Sequence, residues 1–182
     1  MQIESTHIEG LYIVTPRVFE DARGYFFESY NESVFAAKGF LYRWVQDNQS
    51  ASTRGVIRGL HYQAPPHAQT KLIRVLQGSI LDVAVDIRNG SPTYGQHVAI
   101  ELSAANKKQF LIPAGFAHGF SVLSEKAEVL YKCDQLYNKD SEGGLLFDDP
   151  ALGIDWNIPA GEVILSEKDR TLPTLAAFHS PF

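Results

Sequence analysis

The sequence predicts an all-β domain built as a sandwich or barrel. Three observations carry that prediction. Apolar residues recur at every second position in short runs. Glycine, proline and asparagine punctuate those runs at close intervals. Helix signals are confined to two short segments. Closing or stacking such sheets removes exposed edges.

Taken in order, residues 31–38 (NESVFAAK) read as a short helix, with Asn31 as cap and Gly39 as stop. Residues 71–76 (KLIRVL) and 80–87 (ILDVAVDI) read as two strands around a tight turn at Gln77-Gly78-Ser79. In the second strand Leu81, Val83, Val85 and Ile87 share one face. Asp82, Ala84 and Asp86 share the other, so the pattern predicts one apolar and one wetter face. Residues 97–102, 109–112, 120–122, 127–131 and 145–147 continue the strand pattern, and residues 167–170 are expected to add one helical turn. The mostly apolar segment 172–182, with its two prolines, is expected to pack on the barrel surface.

The chain has 182 residues and no linker or repeat, so a single domain over 1–182 is expected, large enough to bury a core without disulfides. Its one cysteine, Cys133, forbids an intramolecular disulfide. The net charge of −5 argues against nucleic-acid and membrane-surface partners, while a few clustered arginines can still hold a phosphate. No apolar run approaches the roughly 20 residues of a membrane span, and residues 1–10 lack an apolar signal core, so a cytoplasmic protein is expected.

Reactive side chains concentrate near turns. Residues 54–63 (RGVIRGLHYQ) gather Arg58 and His61, and Lys71 follows on the next strand. A histidine beside glycines on a strand can be a metal ligand, a general base or a satisfied structural group, and packed cores seldom collect cations. In residues 112–120 (IPAGFAHGF), Pro113 and Gly115 force a turn and His118 emerges between apolar neighbours. Tyr131 ends an apolar strand, where an ordinary core tyrosine is the simplest reading. Residues 165–170 (LSEKDR) read as a solvated charge run.

The spacings Gly55-x5-His61, Lys71-x6-Gly78 and Pro113-x-Gly115-x2-His118 resemble the two motifs of the cupin jelly roll, a double-stranded β-helix. Metal-binding cupins supply two histidines and a glutamate from the first motif. Here Gln63 and Lys71 stand at two of those positions, which leaves His61 and His118 and argues against a metal. Within the cupins the match sharpens. The ordered set Arg23-Gly24-Tyr25-Phe26-Phe27-Glu28, Gly59-Leu60-His61-Tyr62-Gln63, Asp82 to Arg88, Gly90 to Gly95, Pro113 to Phe120 and Leu165 to Asp169 resembles the dTDP-4-dehydrorhamnose 3,5-epimerase family.

The resemblance implies a dTDP-linked 4-keto-6-deoxyhexose substrate in deoxysugar biosynthesis, and inversion at C3 and C5 through an enolate. It implies no cofactor, because the activating ketone is already in the substrate. It implies His61 as base, Asp169 as the group that orients its ring, Tyr131 as acid on the opposite face, and Lys71 near the developing oxyanion. Arg23, Glu28, Gln46, Asn48, Arg58, His118, Glu142 and Lys168 are implied in binding sugar, phosphate or nucleoside. Phe26 and Tyr137 are implied in stacking on thymine. Arg23 and Arg58 suit the diphosphate, because a planar guanidinium grips it in two places. A homodimer with crossing N-terminal strands is implied as well. Asn138-Lys139-Asp140 departs from a family pattern that often carries proline, so a changed loop is expected there. A one-carbon epimerase, a 3,4-ketoisomerase, a metal-dependent dioxygenase and a non-catalytic sugar-binding barrel are the competing readings.

Overall fold

A computed structural model describes residues 1–182. Four strands precede the first helix: β1 (Gln2–Ser5), β2 (Tyr12–Thr15), β3 (Phe19–Asp21) and β4 (Gly24–Phe26). Helix α1 (Glu32–Ala36) follows, then β5 (Gln46–Thr53), β6 (Ile57–Gln63), β7 (Lys71–Gln77), β8 (Ser79–Asp86) and β9 (His97–Ser103). The barrel is completed by β10 (Gln109–Ile112), β11 (Phe116–Val122), β12 (Lys126–Cys133) and β13 (Glu142–Gly144). One sheet runs β1-β2-β10-β7-β12-β5, and the facing sheet runs β13-β6-β11-β8-β9. The pair β3-β4 is a separate hairpin. This is the sandwich of short strands that the periodicity predicts, in the jelly-roll form that the resemblance implies. No helix is long and apolar enough to cross a membrane.

Alternation sorts each strand into one of two cores. Ile73, Val75, Ile80, Ala84, Phe110 and Phe120 fill the space between the sheets. Leu81, Val83, Val85 and Ile87 point the other way, where Leu145, Leu152, Trp156 and Phe178 cover them. The expected packing of the C-terminal segment on the barrel is therefore observed. A third cluster, around Val14, Leu72, Leu111 and Phe35, backs the first sheet. Asn31 caps α1 by accepting the Val34 N–H at 3.2 Å. Five helical residues are too few to hold by propensity alone. Fully buried Phe35 anchors the helix, and truncating such a side chain costs about 3–5 kcal/mol.

Several expectations need correction. The wetter face of β8 is not wet: Asp82 and Asp86 are both 0% exposed. With the C-terminal segment on one side and the barrel interior on the other, neither face meets solvent. Strand β11 begins at Phe116, four residues before the expected 120, and places His118 in mid-strand. Both of its faces are buried, so no alternation marks its start. Residues 145–147 are not a strand. Pairing with β6 falls instead on Glu142–Gly144, and Leu145 only extends it through reciprocal backbone bonds with Leu60. The helical turn expected at 167–170 is a 3-10 turn at Asp169–Thr171. Strand β5 (QDNQSAST) has no apolar alternation to mark it in the sequence, because its inward face is polar.

Asp86 closes the loop after β8. Its carboxylate accepts from the Arg88 backbone and guanidinium and from the Ser91 and Thr93 hydroxyls, at 2.6–3.0 Å. Burial works to raise its pKa, but these donors outweigh burial and hold it at about 2, against an ordinary 3.8. A carboxyl lowered by folding stabilises above its unfolded pKa and loses that contribution as pH falls through the folded value. Wild type is therefore expected to lose about 1–2 kcal/mol between pH 4 and pH 2 through this group, after allowance for solvent screening. Urea melts across that window should show a shallower acid loss for Asp86→Asn.

Candidate active site

The register places the reactive side chains on two facing walls. On the first sheet, Lys71 of β7 pairs with Cys133 of β12, and Ile73 pairs with Tyr131. Ile73 belongs to the barrel core and Tyr131 packs against it, so Lys71, Tyr131 and Cys133 face inward with them. On β5, Gln46 and Asn48 lie opposite Cys133 and Tyr131 and share that face. The polar alternation of β5 thus supplies the hydrophilic part of the barrel wall.

On the facing sheet, His118 pairs with His61 and Phe120 with Arg58, with a register shift between them. In a regular strand, residues three apart point to opposite faces. The bulge returns Arg58 and His61 to the same inward face. Glycine makes the close approach here possible. Gly59 has φ +131°, and a Cβ on it would meet the His118 carbonyl at 2.8 Å. One on Gly119 would meet the Arg58 carbonyl at 2.7 Å.

A cavity of about 460 Å³ opens between the walls, lined by His61, Lys71, Tyr131, Asp169, Arg58, His118 and Lys168 among others. An adjoining recess of about 160 Å³ shares His61, Lys71 and Tyr131 and adds Gln46, Asn48, Tyr137 and Glu142. Eleven of the fourteen expected site residues therefore line one connected region. The other three do not. Arg23 pairs with Asp21 at 2.6 Å on the exposed hairpin, Phe26 is 67% exposed, and Glu28 accepts from Asn31 Nδ2 at 2.9 Å.

Asp169 Oδ1 lies 2.7 Å from His61 Nε2. Burial would raise this carboxyl, but the His61 hydrogen bond and charge, together with Ser166, hold it below the ordinary carboxylate range. An ionised carboxylate only accepts, so His61 carries its proton on Nε2 and leaves Nδ1 free. The short turn at Asp169–Thr171 sets this geometry, with the Asp169 N–H donated to Ser166 Oγ at 3.2 Å. Within residues 165–170, Leu165, Ser166, Lys168 and Asp169 line the cavity, while Glu167 and Arg170 are the solvated charges that the pattern predicts.

A second pair joins His118 Nε2 to Asp82 Oδ1 at 2.7 Å, with both side chains buried. Asp82 has no role in the sequence motifs above. An acid inside an otherwise apolar strand was the signal. Glu142 receives the Tyr137 hydroxyl at 3.0 Å and Lys168 Nζ at 2.5 Å. Burial opposes its ionisation, but Lys168 and Tyr137 prevail and keep its pKa low.

Lys71 sits at the dry end. Burial pulls its ammonium pKa down, and Cys133, Asp82 and Glu142 push back only in part. Burial also raises the Tyr131 phenol, aided by Cys133 and opposed by Arg58, so the phenol is a proton carrier at neutral pH. An imidazole with a free nitrogen on one wall and a phenol on the other can exchange protons with opposite faces of a ring held between them. A desolvated cation beside them can stabilise negative charge on an oxygen.

The donor set does not fit a metal centre. No three His, Cys, Asp or Glu side chains gather where they could hold an ion. Of the two cupin ligand positions that changed, Lys71 supplies a cation. Gln63 Nε2 donates to the carbonyls of His67 at 2.6 Å and Leu136 at 3.3 Å.

A family model described as dTDP-4-dehydrorhamnose 3,5-epimerase matches residues 5–177. The chain belongs to the dTDP-4-dehydrorhamnose 3,5-epimerase family. An enzyme of that name from Pseudomonas aeruginosa is 54% identical over 164 residues, 90% of each chain. The crystal structure of the Elizabethkingia anophelis epimerase superposes with a TM-score of 0.92 at 52% identity, covering 97% of each chain. That of the Legionella pneumophila epimerase, in complex with dTDP-4-keto-L-rhamnose, gives 0.93 at 47% identity over 98% of this chain and 94% of that one. In this epimerase-family chain Asn138-Lys139-Asp140 leads into a 3-10 turn at Lys139–Ser141, capped by Asn138.

Cys133 offers a direct check on the dryness of the inner wall. Burial raises its thiol to about 11, with Lys71 pulling the other way. At pH 8 only about one thiol in a thousand is then ionised, and the thiolate is the nucleophile. Native protein is expected to react with Ellman's reagent at least about 100-fold more slowly than protein unfolded in guanidinium.

Proposed function

We propose that this chain inverts C3 and C5 of a dTDP-linked 4-keto-6-deoxyhexose by proton transfer through an enolate. The observation that carries this is the placement of His61 and Tyr131 on facing sheets of one cavity, with Lys71 lining the same space. His61 Nδ1 removes the proton from the carbon beside the ketone. The electron pair moves onto the C4 oxygen, where Lys71 meets the developing charge. Tyr131 then delivers its hydroxyl proton to the opposite face of the carbon, and that centre is inverted. Asp169 keeps the imidazole oriented and stabilises it once protonated.

The groups around this core hold the nucleotide. Arg58 and Lys168 supply positive charge at the rim for the diphosphate. Gln46, Asn48 and His118 contribute polar contacts, and Tyr137 offers an aromatic face to the base. Arg23, Phe26 and Glu28 complete the site from a second copy of the chain. Support for a homodimer comes from the β3-β4 hairpin. It leaves Phe19, Tyr25 and Phe26 at 52%, 61% and 67% exposure, an aromatic patch that a second copy can cover. The assembly is then a twofold dimer of single-domain protomers.

Incubation of the dTDP-4-keto sugar in D2O with EDTA should place deuterium at both C5 and C3, with inverted product read by NMR. Exchange that required added metal would sink this proposal, and inversion at one carbon alone would make the chain a one-carbon epimerase. His61→Ala should lower kcat by about 10²–10⁴, and Lys71→Met by about 10²–10³. Tyr131→Phe should still exchange protons on the His61 face while losing inversion.

The shared site predicts subunit complementation. His61→Ala and Arg23→Ala homodimers should each have little activity. Mixed dimers hold one site that carries neither change, so an equal mixture after subunit exchange should recover about a quarter of the wild-type sites. No recovery in verified mixed dimers would place Arg23 outside the neighbour's site.

A further inference from the structure

Tyr137 lies in an irregular stretch between β12 and the turn at Lys139–Ser141, yet its backbone is tied down from both sheets. Gln46 of β5 accepts the Tyr137 N–H at 2.9 Å. Gln63 of β6 holds the residues on either side: its Nε2 donates to the Leu136 carbonyl at 3.3 Å, and its Oε1 accepts the Asn138 N–H at 2.8 Å. The second Nε2 proton goes to the His67 carbonyl at 2.6 Å. Both Nε2 protons and the amide oxygen are thus engaged, in a side chain only 4% exposed. The Tyr137 ring itself is 55% exposed, and its one hydrogen bond beyond the backbone is from its hydroxyl to Glu142 Oε2 at 3.0 Å. The ring's place at the recess is therefore set by the pinned backbone beneath it.

We propose that Gln63 is a positioning residue for nucleotide binding: by gripping Leu136 and Asn138 it holds the Tyr137 ring and hydroxyl as the aromatic wall of the nucleotide recess. This rests on the reading of that recess as a nucleotide site. The position that carries a ligand histidine in metal-binding cupins here serves the loop that meets the nucleotide. Only an amide does this. A carboxylate at residue 63 keeps the acceptor for Asn138 but sets an oxygen, in place of Nε2, against the carbonyls of His67 and Leu136.

The test compares wild type, Gln63→Glu, Gln63→Met, Tyr137→Ala and each double variant. The readouts are dTDP affinity by calorimetry and kcat and KM with the dTDP-4-keto sugar. Each Gln63 variant should weaken dTDP and raise KM roughly tenfold, the scale of one aromatic stack on a base, while kcat stays within about threefold. In the Tyr137→Ala background the same changes should have almost no further effect. Penalties that multiply in the double variants, or a loss confined to kcat, would overturn the proposal. So would failure of both Gln63 variants to fold, because a positioning group leaves the barrel intact. Wild type that binds dTDP without exchanging substrate protons would instead remove the epimerase reading, and the Gln63 proposal would then be judged on dTDP affinity alone.

Discussion

The site depends first on a carboxylate that arrives from far along the chain. Asp169 stands 108 residues from His61 and meets it at 2.7 Å, nearly shielded from solvent. That contact fixes which imidazole nitrogen is free and which way it points. It also anchors the C-terminal segment over the outer face of the second sheet, where Trp156 and Phe178 cover Leu81, Val83 and Val85. Stability and chemistry therefore share one connection. A chain that lost the C-terminal packing would lose the orientation of His61 with it.

The second constraint is electrostatic. Lys71 and Cys133 pair on adjacent strands against a dry interior, and burial shifts each toward its neutral form. A cation held away from water stabilises an oxyanion more strongly than a solvated one, because fixed groups replace the reorganising solvent. Glu142 shares the recess with Lys71 and is kept ionised by Tyr137 and by half-exposed Lys168. The barrel thus grades from an inner wall that buries Cys133 completely to a charged rim where Lys168 is half exposed, a gradient that the proposed chemistry can use.

Polar strands explain how a small barrel can hold such a gradient. Most inward positions are apolar and make the core. Strand β5 instead turns Gln46, Asn48, Ser50 and Ser52 toward the interior beside Tyr131 and Cys133. The bulge in β6 adds Arg58 to the face that already holds His61. Both features break a local rule, the first of hydrophobicity and the second of period, and both do so at the cavity. Such departures concentrate at functional sites because the fold around them supplies the compensation.

An all-β sandwich or barrel, the 71–87 hairpin, the Asn31 cap and the packing of the C-terminal segment were legible in the residues themselves, and the jelly-roll form in the resemblance that the ordered motifs carry. The first four follow from local periodicity, apolar content or a residue with one physical role. The ordered motifs also carried the family resemblance and, through it, the roles proposed for His61, Lys71, Tyr131 and Asp169. Folding in three dimensions was needed to show that Asp82 and Asp86 are buried, that β5 is a strand, that His118 lies in mid-strand, and that Gln63 bonds the residues on either side of Tyr137. It alone left Arg23, Phe26 and Glu28 away from the cavity of their own chain. The division has one cause. Period and propensity report which side of a strand is apolar, whereas burial of a polar side depends on what another part of the chain, or another copy of it, lays over that side.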